Sequence, residues 1–208
     1  TSDQDPGTTA HVACFGAGTR IAVPGGATRP FEALGPGDNV QTRDAGAQPV
    51  LWADTRRVLG VGKLAPVVFD GGAIGNTSRL TLSQTHRVLL ASPLAELHFG
   101  APEVLVPAKA LVNNADIRIE PHRTVDYHHL LLADHALLLA DGAPCESLLL
   151  GPAALARADR AADAAQAMRA VTRPMIAARQ VLTYREARLL ARLRGIVPDR
   201  LPAAAPSV

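Results

Sequence analysis

The sequence predicts a mainly β protein with a short helical C-terminal extension, and three observations carry that expectation. From Cys14 to about Leu150, short runs rich in Val, Leu and Thr alternate with Gly/Pro turn signals. After Gly151-Pro152 the composition changes to Ala-rich, helix-favouring sequence. Aromatic residues make up only 3% of the chain although 48% of its 208 residues are hydrophobic, so the core must be built from Leu, Val and Ala. Short strands at such close spacing fit a sandwich, a barrel or another compact all-β body.

The elements follow in order. Residues 1–13 are polar and bury nothing useful, so they read as a flexible arm flanking the body. Thr19–Val23 is a strand closed by Pro24-Gly25-Gly26. Phe31–Leu34 is an extended segment that meets the turn Gly35-Pro36-Gly37-Asp38, and Asn39–Arg43 extends again. Further strands are expected at Val50–Trp52, Pro66–Phe69, Leu80–Leu82, Arg87–Leu90, Val104–Val106, Val125–Leu132 and Ala136–Ala140. The body therefore spans residues 14–151, and a helical extension spans 152–196. Within it, Ala153–Val171 is expected to be helical, with Pro152 suited to a first helical position. Thr183-Tyr184-Arg185-Glu186 is a capping-box pattern that opens a second helix. Leu189, Leu190 and Leu193 give that helix an apolar side, and Gly195 is its stop. Residues 197–208 form a Pro/Ala tail.

Composition excludes several classes. A net charge of +2 is too mild for a nucleic-acid partner, which calls for a concentrated basic patch. No apolar run reaches the roughly 18 residues needed to span a bilayer. Two cysteines make no disulfide framework.

Chemistry gathers at a few residues. Cys14 opens the body within Ala13-Cys14-Phe15-Gly16-Ala17-Gly18-Thr19. A thiol becomes a nucleophile when a base takes its proton and a donor stabilises the attacked carbonyl. The carbonyl nearest its own sulfur belongs to Ala13. Attack there would move the acyl group from nitrogen to sulfur and leave a thioester. The obstacle is amide resonance, so a site must distort the Ala13–Cys14 bond or protonate its nitrogen. Histidine suits the second task. Ser83 and His86, in Ser83-Gln84-Thr85-His86, fall at a corner between two strands. On a regular strand His129 shares a face with Tyr127 and Leu131, while His128 faces the other way. A zinc site from Cys14, His86, His129 and His135 lacks the tight pair spacing of known zinc motifs, so no metal and no cofactor is assigned.

Taken in order, four stretches resemble the Hint domain, the self-processing module shared by inteins and hedgehog C-terminal domains, and most of all its bacterial hedgehog/intein-type group. They are Cys14-Phe15-Gly16-Ala17-Gly18-Thr19-Arg20-Ile21, Phe31 through Val40, Leu82-Ser83-Gln84-Thr85-His86-Arg87-Val88-Leu89, and Tyr127-His128-His129-Leu130 through Gly142. The resemblance implies a flattened, horseshoe-like β fold with pseudo-twofold halves and an N-to-S acyl shift at Ala13–Cys14. It implies Cys14 as nucleophile and His86 as the group that bonds the scissile amide and protonates its nitrogen, with Ser83 assisting. Ser83 stands where relatives usually carry Thr, and His129 where many inteins carry Asp. It leaves Thr85, His135 and Cys145 as supporting residues. It also points to a secreted or cell-surface bacterial setting.

One departure limits the chemistry. Splicing needs a terminal Asn, yet after Gly142 the chain reads Ala-Pro-Cys-Glu-Ser. The expected outcome is thioester cleavage, or transfer of the upstream segment to water, a thiol or an amine, without splicing. The expected partner is the monomer's own upstream polypeptide. The alternatives are a degenerate Hint fold acting as an interaction module, and a zinc-binding or cysteine hydrolase.

Overall fold

A computed structural model of the chain describes residues 13–150, 171 and 174–197. The expected arm apart from Ala13, the expected helix Ala153–Val171 apart from Val171, and the tail beyond Val197 lie outside the described residues. The body is mainly β, as expected, and its sheets do not close into a barrel.

The strands run in chain order as β1 (Phe15–Gly16), β2 (Arg20–Ala22), β3 (Thr28–Pro30), β4 (Asn39–Thr42), β5 (Gly46–Pro49), β6 (Trp52–Gly60), β7 (Val67–Phe69) and β8 (Leu80–Leu82). They continue as β9 (Arg87–Ala91), β10 (Glu103–Pro107), β11 (Ile117–Ile119), β12 (His122–Leu131), β13 (Leu137–Ala140), β14 (Ala143–Glu146) and β15 (Gln180–Val181). Among the described residues, two helices, α1 (Pro93–Phe99) and α2 (Tyr184–Leu193), join these strands, apart from short 3-10 turns. One sheet has the order β11-β7-β8-β1-β12-β6. The other has the order β15-β10-β9-β14-β13-β2-β3, with β4 on β13 and β5 on β4.

Two features of this topology place the site. The two-residue strand β1 is held between β8 and β12, pairing Phe15 with Leu82 on one side and with His128 on the other. Gly16 permits that insertion, because a Cβ there would lie 2.6 Å from Thr81 Cγ2. The hairpin β13–β14 turns on Asp141 and Gly142, both at positive φ, and Ala140 pairs with Ala143. An Asp-Gly pair suits such a two-residue turn. The hairpin brings Cys145 opposite Val88, two residues after His86.

The main core joins both sheets through Phe15, Ile21, Phe69, Leu80, Leu82 and Val88. It extends into the C-terminal segment, since Leu182, Leu190 and Val197 belong to the same cluster. A helical extension is expected over residues 152–196, but β15 adds a parallel strand to β10 before α2 begins. The Thr183 capping box forms as read from the sequence. The buried side of α2 is Ala187, Leu190 and Ala191, whereas Leu189 and Leu193 are each nearly half exposed. The small alanines let α2 lie close to the 3-10 turn at Ala108–Leu111. Phe31–Ala33 is a 3-10 turn rather than an extended segment, started by Pro30. Among the described residues no helix is long and apolar enough to cross a membrane.

Candidate active site

Cys14, Ser83, His86 and His129 come together, but His86 does not bond the Ala13–Cys14 amide as the resemblance implied: its turn places the ring one peptide further on, against the Cys14 carbonyl. The Cys14 carbonyl accepts two hydrogen bonds, one from the Ser83 N–H at 3.0 Å and one from His86 Nδ1 at 3.0 Å. A carbonyl only accepts, so Nδ1 of His86 carries the proton. The turn that supplies both donors is itself closed by a bond from the His86 N–H to the Ser83 carbonyl. This explains the three-residue spacing, since one turn offers a backbone donor and a ring donor to the same oxygen. Thr85 is half-buried within that turn.

His129 reaches the other side of the peptide. Its Nδ1 donates to the Ala13 carbonyl at 3.0 Å, and its Nε2 lies 3.6 Å from Cys14 Sγ. With the proton on Nδ1, the neutral ring has a lone pair on Nε2 aimed at the thiol. One imidazole thus touches both the sulfur and the oxygen of the carbonyl just behind it. His128 faces away, as alternation predicts: its Nδ1 meets Thr55 Oγ1 at 2.7 Å and its ring stacks on Phe31.

Burial governs the acidities. It pushes the Cys14 thiol up to about 12, against smaller opposing contributions from the Ser83 hydrogen bond and the Arg56 charge. It lowers His86 to about 4, with the Glu146 charge and the Cys14 carbonyl pulling the other way. It also lowers His129, against the bond to Ala13. At neutral pH the cluster is therefore a thiol with two neutral imidazoles. Nε2 of His86 is buried without a regular hydrogen bond, although the Glu146 carbonyl lies close enough to favour a protonated ring.

The remaining expected residues lie apart from the thiol. His135 donates from Nε2 to Glu146 Oε2 at 3.2 Å and accepts the Ala178 N–H on Nδ1 at 2.9 Å. Cys145 is fully buried, and Cys14 and Cys145 are not joined by a disulfide. Burial pushes the Cys145 thiol far above its ordinary value, as fits a packed group. Sequence reasoning missed Glu146. Its Oε1 accepts the Arg87 N–H at 2.9 Å, and its Oε2 accepts from the Arg87 guanidinium at 3.0 Å as well as from His135. The only trace in the sequence is a carboxylate at the end of a greasy hairpin, where an unpaired charge would be costly.

Two surface hollows, one beside Arg43 and Arg194 and one beside Gln84 and Arg188, are not lined by Cys14, His86 or His129. The site is a packed cluster around the chain's own backbone.

A buried thiol at the head of a mainly β body, ringed by imidazoles that bond its own peptide, is the architecture of a module that works on its own chain. The family model of the Hint domain matches residues 13–152, and the chain belongs to that family, whose members mediate self-processing. Solved structures with a similar trace include a bacterial intein-like domain from Clostridium thermocellum, at 14% identity and a TM-score of 0.46, covering 64% of this chain and 96% of that one. The MchDnaB-1 intein is similar at 15% identity and a TM-score of 0.41, covering 63% and 98% respectively. A Ssp DnaB mini-intein variant is similar at 9% identity and a TM-score of 0.43, covering 68% and 99%. No curated protein matches the chain.

Proposed function

We propose that this chain cuts its own Ala13–Cys14 bond through an N-to-S acyl shift. The observation that carries the reading is the double reach of His129, with Nδ1 on the Ala13 carbonyl and Nε2 toward the Cys14 sulfur. Nε2 takes the thiol proton as sulfur attacks the Ala13 carbon. The Nδ1–H already points at the oxygen on which negative charge then grows, which is the geometry of an oxyanion donor. The tetrahedral carbon collapses by breaking its bond to the Cys14 nitrogen. His86, whose ring is bonded to the same residue, must first take a proton from solvent to become imidazolium, and that form gives the nitrogen its proton. His129 releases the thiol proton to solvent, so the net step moves one proton from sulfur to nitrogen and exchanges a C–N bond for a C–S bond. Water, a thiol or an amine next takes the acyl group from sulfur and releases the upstream segment. Ser83 holds the Cys14 carbonyl through its N–H and the thiol through its side chain.

The chain lacks an Asn after Gly142, so the reaction ends in cleavage or transfer rather than splicing. The test is intact mass after incubation of the full chain with dithiothreitol at neutral pH. Loss of residues 1–13 is the expected result. An intact mass that persists in both thiol and hydroxylamine refutes the reading and favours the degenerate interaction module.

A further inference from the structure

Glu146 stands out among the buried charged groups because it is 2% exposed and none of the steps above uses it. Burial alone would raise its carboxyl. The bond from His135, the charge of His86 whenever its ring is protonated, and the charge of Arg87 outweigh that effect and hold it below the ordinary range. It is thus an anion kept inside the protein by three partners. Two of its contacts are to Arg87, the residue after His86, and one of these grips the backbone N–H. The groups that act on the His86 ring come from three other elements. They are the Cys14 carbonyl beside β1, His129 on β12, and Glu146 at the end of β14 through both its charge and its carbonyl. Of these, Glu146 contributes the negative charge.

We propose that Glu146 is a positioning residue of the self-processing site, clamping the peptide behind His86 and placing a negative charge where an imidazolium must form. The inference rests on the function proposed above. A buried His86 is protonated in only about one molecule in a thousand at pH 7, given its value of about 4. The charge that offsets burial therefore sets how often the proton donor is ready. His135 completes the arrangement. Its Nδ1 holds the Ala178 N–H while its Nε2 holds Glu146, which fastens the C-terminal segment to the same carboxylate.

The experiment compares the full chain with Glu146→Gln and Glu146→Asp, following thiol-induced cleavage over a wide range of thiol concentration. At high thiol the rate reaches a ceiling set by the acyl shift. At low thiol the rate is set by the equilibrium between amide and thioester. A proton donor speeds that equilibrium in both directions and leaves its position unchanged. Glu146→Gln should therefore lower the ceiling by about tenfold for each unit by which His86 falls, while the initial slope against thiol stays the same. Glu146→Asp, which keeps the charge, should recover part of the ceiling and carries the test where the Gln variant does not fold. An unchanged ceiling, or a parallel loss of ceiling and slope in folded protein, overturns the proposal. A parent chain that does not cleave refutes the self-processing reading instead. The positioning claim then has its own readout in the NMR titration of the His86 ring in the Cys14→Ala full chain. Its midpoint should fall when Glu146→Gln is added, and an unmoved midpoint overturns it.

Discussion

His129 offers the sharpest test, because a graded series can take its two contacts away one at a time. With the thiol pushed up to about 12, the thiolate fraction at pH 7.5 is only on the order of 10⁻⁴ to 10⁻⁵. Sulfur therefore needs a base at the moment of attack. His129→Asn keeps an N–H near the Nδ1 position for the Ala13 carbonyl and removes the lone pair that faces Sγ. Loss of a positioned general base costs typically 10²–10⁴-fold. His129→Ala also removes the carbonyl donor, worth about a further 10²–10³-fold where such a donor acts on the transition state. The two losses act on one step, so their product is an upper bound. The assay is the time course of upstream-segment release by intact mass in saturating dithiothreitol. Without the base, thiolate grows tenfold per pH unit while protonated His86 shrinks tenfold above about 4, so the rate of both variants should be flat across neutral pH. In the parent the rate should fall tenfold per pH unit once His129 is neutral, because only the His86 proton then varies. Burial has lowered the His129 pKa, so that fall begins below the ordinary imidazole value of 6.5. A His129→Ala chain that cleaves at the parental rate, with the parental pH profile, would sink the reasoning.

Other outcomes follow from the same geometry. Cys14→Ala and His86→Ala should each abolish release of residues 1–13, as read by mass after a day in thiol. The His86 value falls from 6.5 to about 4 on folding, so the unfolded chain binds the extra proton between those values. Stability contributed by the neutral ring is complete above pH 6.5 and lost as pH falls toward 4, by roughly 3 kcal/mol. Urea midpoints of the parent and of His86→Leu should therefore converge or cross over that window, with the parent losing more. Gly16→Ala places a Cβ 2.6 Å from Thr81 Cγ2, so it should cost about 1–3 kcal/mol in chemical denaturation and slow cleavage by displacing β1. Thr183→Ala removes the capping box of α2 and should cost about 1 kcal/mol without changing the cleavage rate of the folded chain.

Much of this architecture was legible because local chemistry and long-range placement agree. The turn between β8 and β9 was readable from Ser83-Gln84-Thr85-His86, and strand alternation sorted His129 from His128. What escaped notice depends on partners far away in the chain. Glu146 acquires meaning only when Arg87, 59 positions earlier, comes beside it. The strand β15 is two residues long and has no periodicity to detect. The face of α2 was misjudged because leucines outweigh alanines in any apolar pattern, yet close packing against Ala108–Leu111 favours the smaller side chains. α1 was overlooked although Ser92 caps it, Pro93 opens it and Gly100 ends it in a left-handed conformation. Those signals were present, but the helix has only seven residues. Pro30, in turn, made Phe31–Ala33 a tight turn where hydrophobicity had indicated extension.

The 115 positions between Cys14 and His129 have a consequence for timing. Chains emerge from the ribosome with the N-terminal end first. The sulfur is thus made long before the ring that would activate it, and for that interval it is an ordinary cysteine in an unfolded chain. Bringing the two together closes a loop that carries an entropic cost until the intervening strands have paired. On the proposed function, a segment upstream of Cys14 would thereby gain time to emerge and fold while the bond behind it is still inert.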